Sequence, residues 1–227
     1  MPDIKENLNK LEIDNAQLIA ATKEVPIDLI KKAISYGVTD IGENYVQEAE
    51  EKFKQIGKKV RWHFIGHLQK NKVSKAVKIF DVIQSVDSYN LAKRIDAAAE
   101  KNEKIIKIMM QVNISGDKSG VEPEEVISLY KKLINLKNLE VIGLMCIAEK
   151  QKPEISFKKM RNLNSKMKLP FLSMGMSNDY KIAIENGSNM VRLGRLIFGK
   201  RASHLMEDTF EDILSTFKET IKKINTP

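Results

Sequence analysis

The sequence contains one cysteine, Cys146, among 227 residues. A single thiol excludes an internal disulfide framework and suggests a reducing compartment. Residues 1–10 are polar and charged, without the apolar stretch of a secretory signal. The chain also has no run of about 18 apolar residues, the length that a membrane-spanning helix needs. These absences predict a cytoplasmic protein that does not enter membranes.

Motifs that mark common nucleotide and metal sites are missing as well. The first apolar run ends at Lys23, and no glycine fingerprint of an open dinucleotide-binding sheet follows it. Residues 116–120 lack the Gly-Lys pair and the spacing of a phosphate-binding P-loop. His63 and His67 stand four apart, but Gly66 lies between them and no glutamate follows His63, so we predict no zinc site.

Charge of both signs is abundant, with 38 Lys and Arg against 30 Asp and Glu, and the formal net charge is +8. Basic residues cluster over 70–78 and 158–168, where they alternate with apolar residues at helical spacing. We interpret both clusters as solvent-exposed helix faces. Nucleic-acid binding is the lesser alternative, because no RNA- or DNA-binding motif accompanies the lysines. A basic chain also favours anionic small molecules.

Short apolar runs alternate with longer amphipathic segments along the chain. The runs predict eight strands, at residues 17–22, 40–42, 62–65, 82–84, 105–112, 140–145, 171–172 and 190–193. The amphipathic segments predict helices at 27–36, 45–56, 68–77, 88–101, 123–136, 153–167, 178–186 and 208–224. Alternation of this kind indicates a parallel sheet, and eight units in a chain of this length indicate a closed (β/α)₈ barrel of the TIM type. We expect one domain over residues 1–227, with additional helices at both ends.

Functional side chains of such barrels lie at the carboxyl ends of the strands. Lys23 ends the first strand, where desolvation favours a neutral amine able to attack an aldehyde. In a lysine-rich chain, an ordinary surface lysine is the alternative. Asn44 follows the second strand and His63 lies on the third, so both could bind a ligand. Alternatively, Asn44 caps the next helix and His63 is a buried structural histidine.

The segments that follow the seventh and eighth strands predict an anion site. Residues 173–179 contain a glycine and the hydroxyl of Ser177, and residues 192–199 contain Gly194. Glycine permits close approach of a ligand to the backbone, whose free N–H groups suit an anion. Barrels of this type often bind phosphate between these two loops.

Six motifs, in order and well spaced, resemble those of the pyridoxal phosphate homeostasis proteins: Ala21-Thr22-Lys23, Ile41-Gly42-Glu43-Asn44-Tyr45, His63-Phe64-Ile65-Gly66-His67-Leu68-Gln69, Gly143-Leu144-Met145, Ser173-Met174-Gly175-Met176-Ser177 and Val191-Arg192-Leu193-Gly194. The resemblance runs from about residue 17 to residue 200. It implies a fold-type III barrel similar to the N-terminal domain of alanine racemase. The implied cofactor is pyridoxal 5′-phosphate (PLP).

The resemblance assigns eight residues to the PLP site: Lys23, Asn44, His63, Met176, Ser177, Arg192, Gly194 and Arg195. Lys23 would bind PLP covalently as a Schiff base. The backbone of Met176, with Ser177, Gly194 and the residue after it, would hold the phosphate, and Arg192 would face the pyridine nitrogen. Asn44 and His63 would line the pocket. Two positions depart from the family pattern: Arg195 replaces a small hydroxyl residue, and Cys146 replaces threonine.

Two functions are compatible with this site. An arginine can only donate hydrogen bonds, so Arg192 favours an unprotonated ring nitrogen and weakens the electron sink of the cofactor. This favours a non-catalytic carrier, without catalytic residues or a metal, that holds PLP and delivers it to PLP-dependent apo-enzymes. The alternative is a racemase-like PLP enzyme, which is less expected because no further domain follows the barrel. We expect a monomer, since a closed barrel pairs all of its own strands.

Overall fold

The computed structural model describes residues 2–13, 15–116 and 119–199. Eight parallel strands form a closed barrel in which each strand pairs with the next and β8 pairs with β1. The predicted (β/α)₈ barrel is therefore confirmed. The strands are β1 (Gln17–Ala21), β2 (Asp40–Glu43), β3 (Arg61–Phe64), β4 (Val82–Val86), β5 (Ile106–Gln111), β6 (Leu139–Met145), β7 (Phe171–Ser173) and β8 (Met190–Leu193).

Helices connect the strands on the outside of the barrel. In the described part of the chain they are α1 (Ile4–Asn9), α2 (Ile27–Ser35), α3 (Val46–Ile56), α4 (Val73–Ile79), α5 (Tyr89–Glu100), α6 (Val126–Leu133), α7 (Pro153–Met167), α8 (Tyr180–Glu185) and α9 (Arg195–Phe198). Helix α4 begins later than predicted, because a 3₁₀ turn over Lys70–Lys72 precedes it. The helix predicted at 208–224 lies outside the described residues. None of the described helices is long and apolar enough to cross a membrane.

Side chains of the strands pack on both sides of the barrel wall. A small apolar cluster lies in the interior and consists of Ile19, Val82, Met109, Ile142, Met145 and Met190. A larger cluster lies between the wall and the helices, where Trp62, Phe64 and Phe80 meet edge to face. Successive strand residues face opposite sides of the sheet, so Lys23, four positions after Ile19, faces the same interior side of the barrel as Ile19. The alternation therefore directs Lys23 to the open end of the barrel.

Candidate functional site

Lys23 lies just beyond the end of β1, at the barrel mouth, with 23% of its side chain exposed. Its Nζ atom is 3.4 Å from Oε1 of Glu24 and 5.1 Å from the ring centroid of Tyr45. A cation above an aromatic face is held weakly, by about 0.5–1 kcal/mol at an exposed site. The amine is therefore positioned at the mouth by contacts that a ligand can displace.

The loop that follows β1 is anchored by a buried ion-pair cluster, which we call the Lys52 cluster. Nζ of Lys52, on α3, donates to the carbonyl oxygen of Thr22 at 2.6 Å and to Oε1 of Glu43 and of Glu48, each at 2.7 Å. The hydroxyl of Thr22 donates to the same oxygen of Glu43 at 2.6 Å. Glu48 also accepts the backbone N–H of Glu24 at 2.6 Å. The cluster thus fixes the backbone on both sides of Lys23.

The charge of Glu43 depends on its partners in this cluster. The side chain of Glu43 is fully buried, and its Oε2 atom has no hydrogen-bond partner among the described residues. Burial raises the pKa of this carboxyl, and the charge and hydrogen bond of Lys52 only partly oppose the rise. The charge of Lys52 therefore offsets part of the free-energy cost of burying the Glu43 carboxylate beneath the barrel mouth.

The loops after β7 and β8 meet as the sequence predicted. The guanidinium of Arg195 donates to Oδ1 of Asn178 at 2.9 Å and so connects the two loops. A Cβ added to Gly194 would lie 2.9 Å from the carbonyl oxygen of Ala21, so glycine allows the β8 loop to approach the end of β1. The two loops and the loop carrying the predicted amine consequently share one side of the mouth.

Backbone donors in these loops are partly unused. Within residues 119–199 and the other described segments, the N–H groups of Ser177, Asn178, Arg195 and Leu196 have no hydrogen-bond acceptor. The N–H of Met176 differs from the expectation, because it donates to Oδ1 of Asp179 at 2.6 Å. The donors that remain for an anion are therefore those of the residues that follow Met176 and Gly194, rather than that of Met176 itself.

Arg192 lies inside the barrel, with 5% of the residue exposed. Its NH1 atom donates to Oγ of Ser173 at 2.7 Å, and its NH2 atom donates to the carbonyl oxygen of Cys146 at 2.8 Å. These two bonds use two of the five N–H groups that a guanidinium carries. Burial lowers the pKa of Arg192 from its ordinary value, and the group still remains a cation at neutral pH.

His63 is fully buried, and both of its ring nitrogens are bonded to protein side chains. Nε2 lies 2.9 Å from Oδ1 of Asp40, and Nδ1 lies 3.0 Å from Nε2 of Gln84. Asp40 is the first residue of β2, so the ring points towards the amino-terminal end of the barrel. These contacts match the alternative in which His63 is a buried structural histidine. Among the described residues, its ring makes no direct hydrogen bond at the barrel mouth and is connected to Arg192 through Gln84 and Ser173.

Asn44 lies half-buried between the ends of β2 and β3. Tyr45 is the N-cap residue of α3 and makes no side-chain capping bond, so the alternative in which Asn44 caps this helix is wrong. A Cβ on Gly66 would overlap the carbonyl group of Asn44, which shows how tightly the β3 loop packs against it. The amide side chain has no partner among the described residues and is available to a ligand.

Comparisons with known proteins agree with this geometry. The family model for the alanine racemase N-terminal domain matches residues 2–202. Pyridoxal phosphate homeostasis proteins are 39% identical in Aquifex aeolicus, over 82% of this chain and 87% of the relative, and 37% identical in Homo sapiens, over 82% and 76%. The chain belongs to the pyridoxal phosphate homeostasis protein family. The resemblance drawn from the six motifs is therefore confirmed.

Solved structures support membership of this family. PipY of Synechococcus elongatus, solved with PLP bound, is 34% identical and superposes with a TM-score of 0.80 over 87% of this chain and all of PipY. Alanine racemase of Clostridium difficile superposes with a TM-score of 0.76 at 16% identity, over 88% of this chain and 57% of the racemase. That second likeness establishes the barrel fold alone.

Proposed function

We propose that the protein binds PLP at the barrel mouth, with the aldehyde carbon on Nζ of Lys23, and that it holds and delivers this cofactor without catalysing a reaction on it. Bound PLP supplies an aldehyde that condenses reversibly with amines. The single observation that carries the proposal is the convergence of one amine, two loops with unused N–H groups and one buried guanidinium at the same end of the barrel.

The phosphate end of the proposed site is built from the loops after β7 and β8. The unused N–H groups of Ser177 and Arg195 suit phosphate oxygens, because backbone donors bind anions without a large reorganisation. The guanidinium of Arg195 adds a charged donor next to them. We propose that this charge replaces the small hydroxyl group that related chains carry at this position.

The part of the proposed site that faces the pyridine ring contains Arg192 and, beside it, Cys146, whose thiol cannot act as a general base for a substrate proton at neutral pH. Three N–H groups of Arg192 remain unused within the described residues, so the guanidinium can donate to the pyridine nitrogen of PLP. A permanent donor keeps that nitrogen unprotonated and weakens carbanion stabilisation. Burial raises the pKa of the Cys146 thiol to about 12, so this thiol stays neutral and does not accept a substrate proton at neutral pH. Both properties support a carrier.

Delivery requires that the site be reachable. Tyr45, which contacts Lys23, is 53% exposed, and Met176, in the loop after β7, is 40% exposed, so the barrel mouth is open to solvent. We propose that PLP-dependent apo-enzymes in the cytoplasm receive the cofactor through this opening, from a monomer whose barrel closes its own sheet.

The test is a titration of the purified protein with PLP, followed by borohydride reduction and peptide mapping. We expect a yellow complex whose reduced label maps to Lys23. The bound PLP should then pass to an added apo-enzyme and restore its activity. A protein that remains colourless, or a label on another lysine, contradicts the proposal.

Arg195→Ala provides a separate test of the phosphate end. We expect the affinity for PLP to fall by about 1–3 kcal/mol, because one hydrogen bond from a charged donor is lost. Spectroscopic titration with pyridoxal, which has no phosphate, serves as the control, since its affinity should not change. An equal loss for both ligands would mean that Arg195 acts on the loops rather than on the phosphate.

A further inference from the structure

We propose that Asp40, His63, Gln84 and Ser173 form a hydrogen-bonded relay that orients the guanidinium of Arg192 from the opposite end of the barrel. We call these four residues the Arg192 relay. The inference rests on the proposed function, which places Arg192 next to the cofactor ring. It makes Asp40 and His63 positioning residues, which act on the site through other side chains.

Four hydrogen bonds connect Arg192 to Asp40 without a gap. NH1 of Arg192 donates to Oγ of Ser173 at 2.7 Å, and this hydroxyl donates to Oε1 of Gln84 at 2.7 Å. Nε2 of Gln84 lies 3.0 Å from Nδ1 of His63, and Nε2 of His63 lies 2.9 Å from Oδ1 of Asp40. Every atom pair is within ordinary hydrogen-bond distance.

The two ends of the relay fix the direction of every bond in it. Arg192 can only donate, so the hydroxyl of Ser173 accepts from it and turns its own proton towards Gln84. The amide of Gln84 then presents its carbonyl to Ser173 and its NH₂ group to Nδ1 of His63. The histidine proton must therefore be on Nε2, where it is donated to Asp40, a group that can only accept. All four donors point from the cation to the carboxylate.

Electrostatics explains why such a relay is needed. Within the described part of the chain, no carboxylate lies within 4.0 Å of Arg192, although the residue is buried. Burial alone would raise the pKa of Asp40, but hydrogen bonds from His63 and Thr39, together with the charge of Arg61 at 3.5 Å, lower it, so this carboxylate is charged. Burial lowers the pKa of His63 and keeps the ring neutral. The polarised neutral groups thus connect a buried cation to a distant anion.

The relay also spans the barrel interior. Its members and Arg192 belong to five strands, namely β2, β3, β4, β7 and β8. Gln84 is held further by a contact of its Nε2 with Sδ of Met190 at 3.2 Å. A rigid set of side chains on a strand scaffold positions a group more accurately than a loop does. A substitution of His63 on β3 should consequently change the orientation of Arg192 on β8.

Ser173→Ala tests the relay where it meets Arg192. We expect PLP to bind about tenfold more weakly and its absorption band to shift, because one charge-assisted hydrogen bond to the guanidinium is lost. Ser188→Ala is the matched control. Its hydroxyl is also buried, and within the described residues its hydrogen-bond partners are the carbonyl oxygens of Leu172, Met174 and Met190. Its variant should keep the wild-type affinity and spectrum, and equal effects of the two substitutions would overturn the proposal.

The long-range part of the relay is tested by combining substitutions. His63→Phe should weaken PLP binding in the wild-type background, but should add little once Ser173→Ala has already interrupted the relay. Independent effects, whose fold-changes multiply, would overturn the relay. If His63→Phe does not fold, Gln84→Met, with a side chain of similar length, allows the same comparison.

A measurement without cofactor separates the relay from the proposed function. Ring ¹⁵N chemical shifts of His63 in the full-length protein should identify a neutral ring with its proton on Nε2. A proton on Nδ1 would overturn the relay whatever the protein binds. Failure of the wild-type protein to bind PLP, with the expected tautomer present, would instead count against the proposed function.

Discussion

Lys23→Ala is expected to abolish the borohydride-stable label of PLP completely. The physical reason is that the substitution removes the amine at the end of β1, while the loops after β7 and β8 keep their donors. Weak, non-covalent binding of PLP should therefore remain, with the absorption of free aldehyde rather than of a lysine-linked cofactor. Absorption spectra before and after reduction, with mass spectrometry of the intact chain, measure both effects.

A matched control for Lys23 is Lys31, an exposed lysine on α2 whose Nζ contacts Gln55 at 3.3 Å. Lys31→Ala should retain the full label and spectrum of the wild-type protein. Persistence of one stoichiometric label in Lys23→Ala would mean that another lysine holds the cofactor. The barrel and the phosphate loops would then stand, but the assignment of the amine would be wrong.

Lys52→Met is expected to destabilise the fold by about 3–5 kcal/mol at pH 7, which is the usual cost of removing one partner of a buried ion pair. Lys52 makes three hydrogen bonds, and its loss leaves the carboxylates of Glu43 and Glu48 close together without a cation. The label on Lys23 should also form more slowly, because the backbone beside it loses its anchor. Urea unfolding measures the first effect, and stopped-flow absorption measures the second.

The destabilisation in Lys52→Met should depend on pH with a defined sign. Without the lysine, the pKa of Glu43 rises further above its value in the unfolded chain, so the folded state binds the proton more tightly. Stability is then retained below the unfolded pKa and is lost as pH rises through the folded pKa. The loss relative to wild type should therefore be smaller at pH 4 than at pH 7.

Two further variants control for the loss of a lysine. Adding Glu43→Gln to Lys52→Met should restore much of the stability at pH 7, because no buried charge remains at that position. Lys54→Met, on the same helix, removes only the exposed pair with Glu51 and should leave the free energy of unfolding near the wild-type value. A double variant as unstable as Lys52→Met alone would show that packing, rather than charge, explains the loss.

Features set by residues close together in the chain can be predicted from the sequence. The eight strands, the exit position of Lys23 and the two glycine-containing loops could all be predicted, because apolar periodicity and turn residues act within a few positions. The apolar pattern does not reveal the late start of α4, because a 3₁₀ turn over Lys70–Lys72 leaves that pattern unchanged. Boundaries of this kind depend on one or two backbone hydrogen bonds.

The residues that support Lys23 and Arg192 from behind are harder to predict from the sequence. The sequence places Gln84 at the end of the predicted fourth strand and Ser173 in the loop predicted after the seventh, and neither position indicates a contact between the two. The available signal was a polar side chain at or just after the end of an apolar run. Lys52 was hidden in an amphipathic helix rich in charged residues. What distinguishes it is burial against the end of β1, and the helical pattern alone does not contain that information.

The sequence by itself determined the closed barrel, the family and the residues presented at the strand ends, because each of these follows from local patterns repeated along the chain. Only the tertiary structure decided how those residues are supported. Closing the barrel places β8 beside β1, and it brings Gln84 against Ser173, 89 positions away. It also turned His63 from an expected pocket residue into a buried link between Asp40 and Gln84, because both polar nitrogens of a buried ring must find partners.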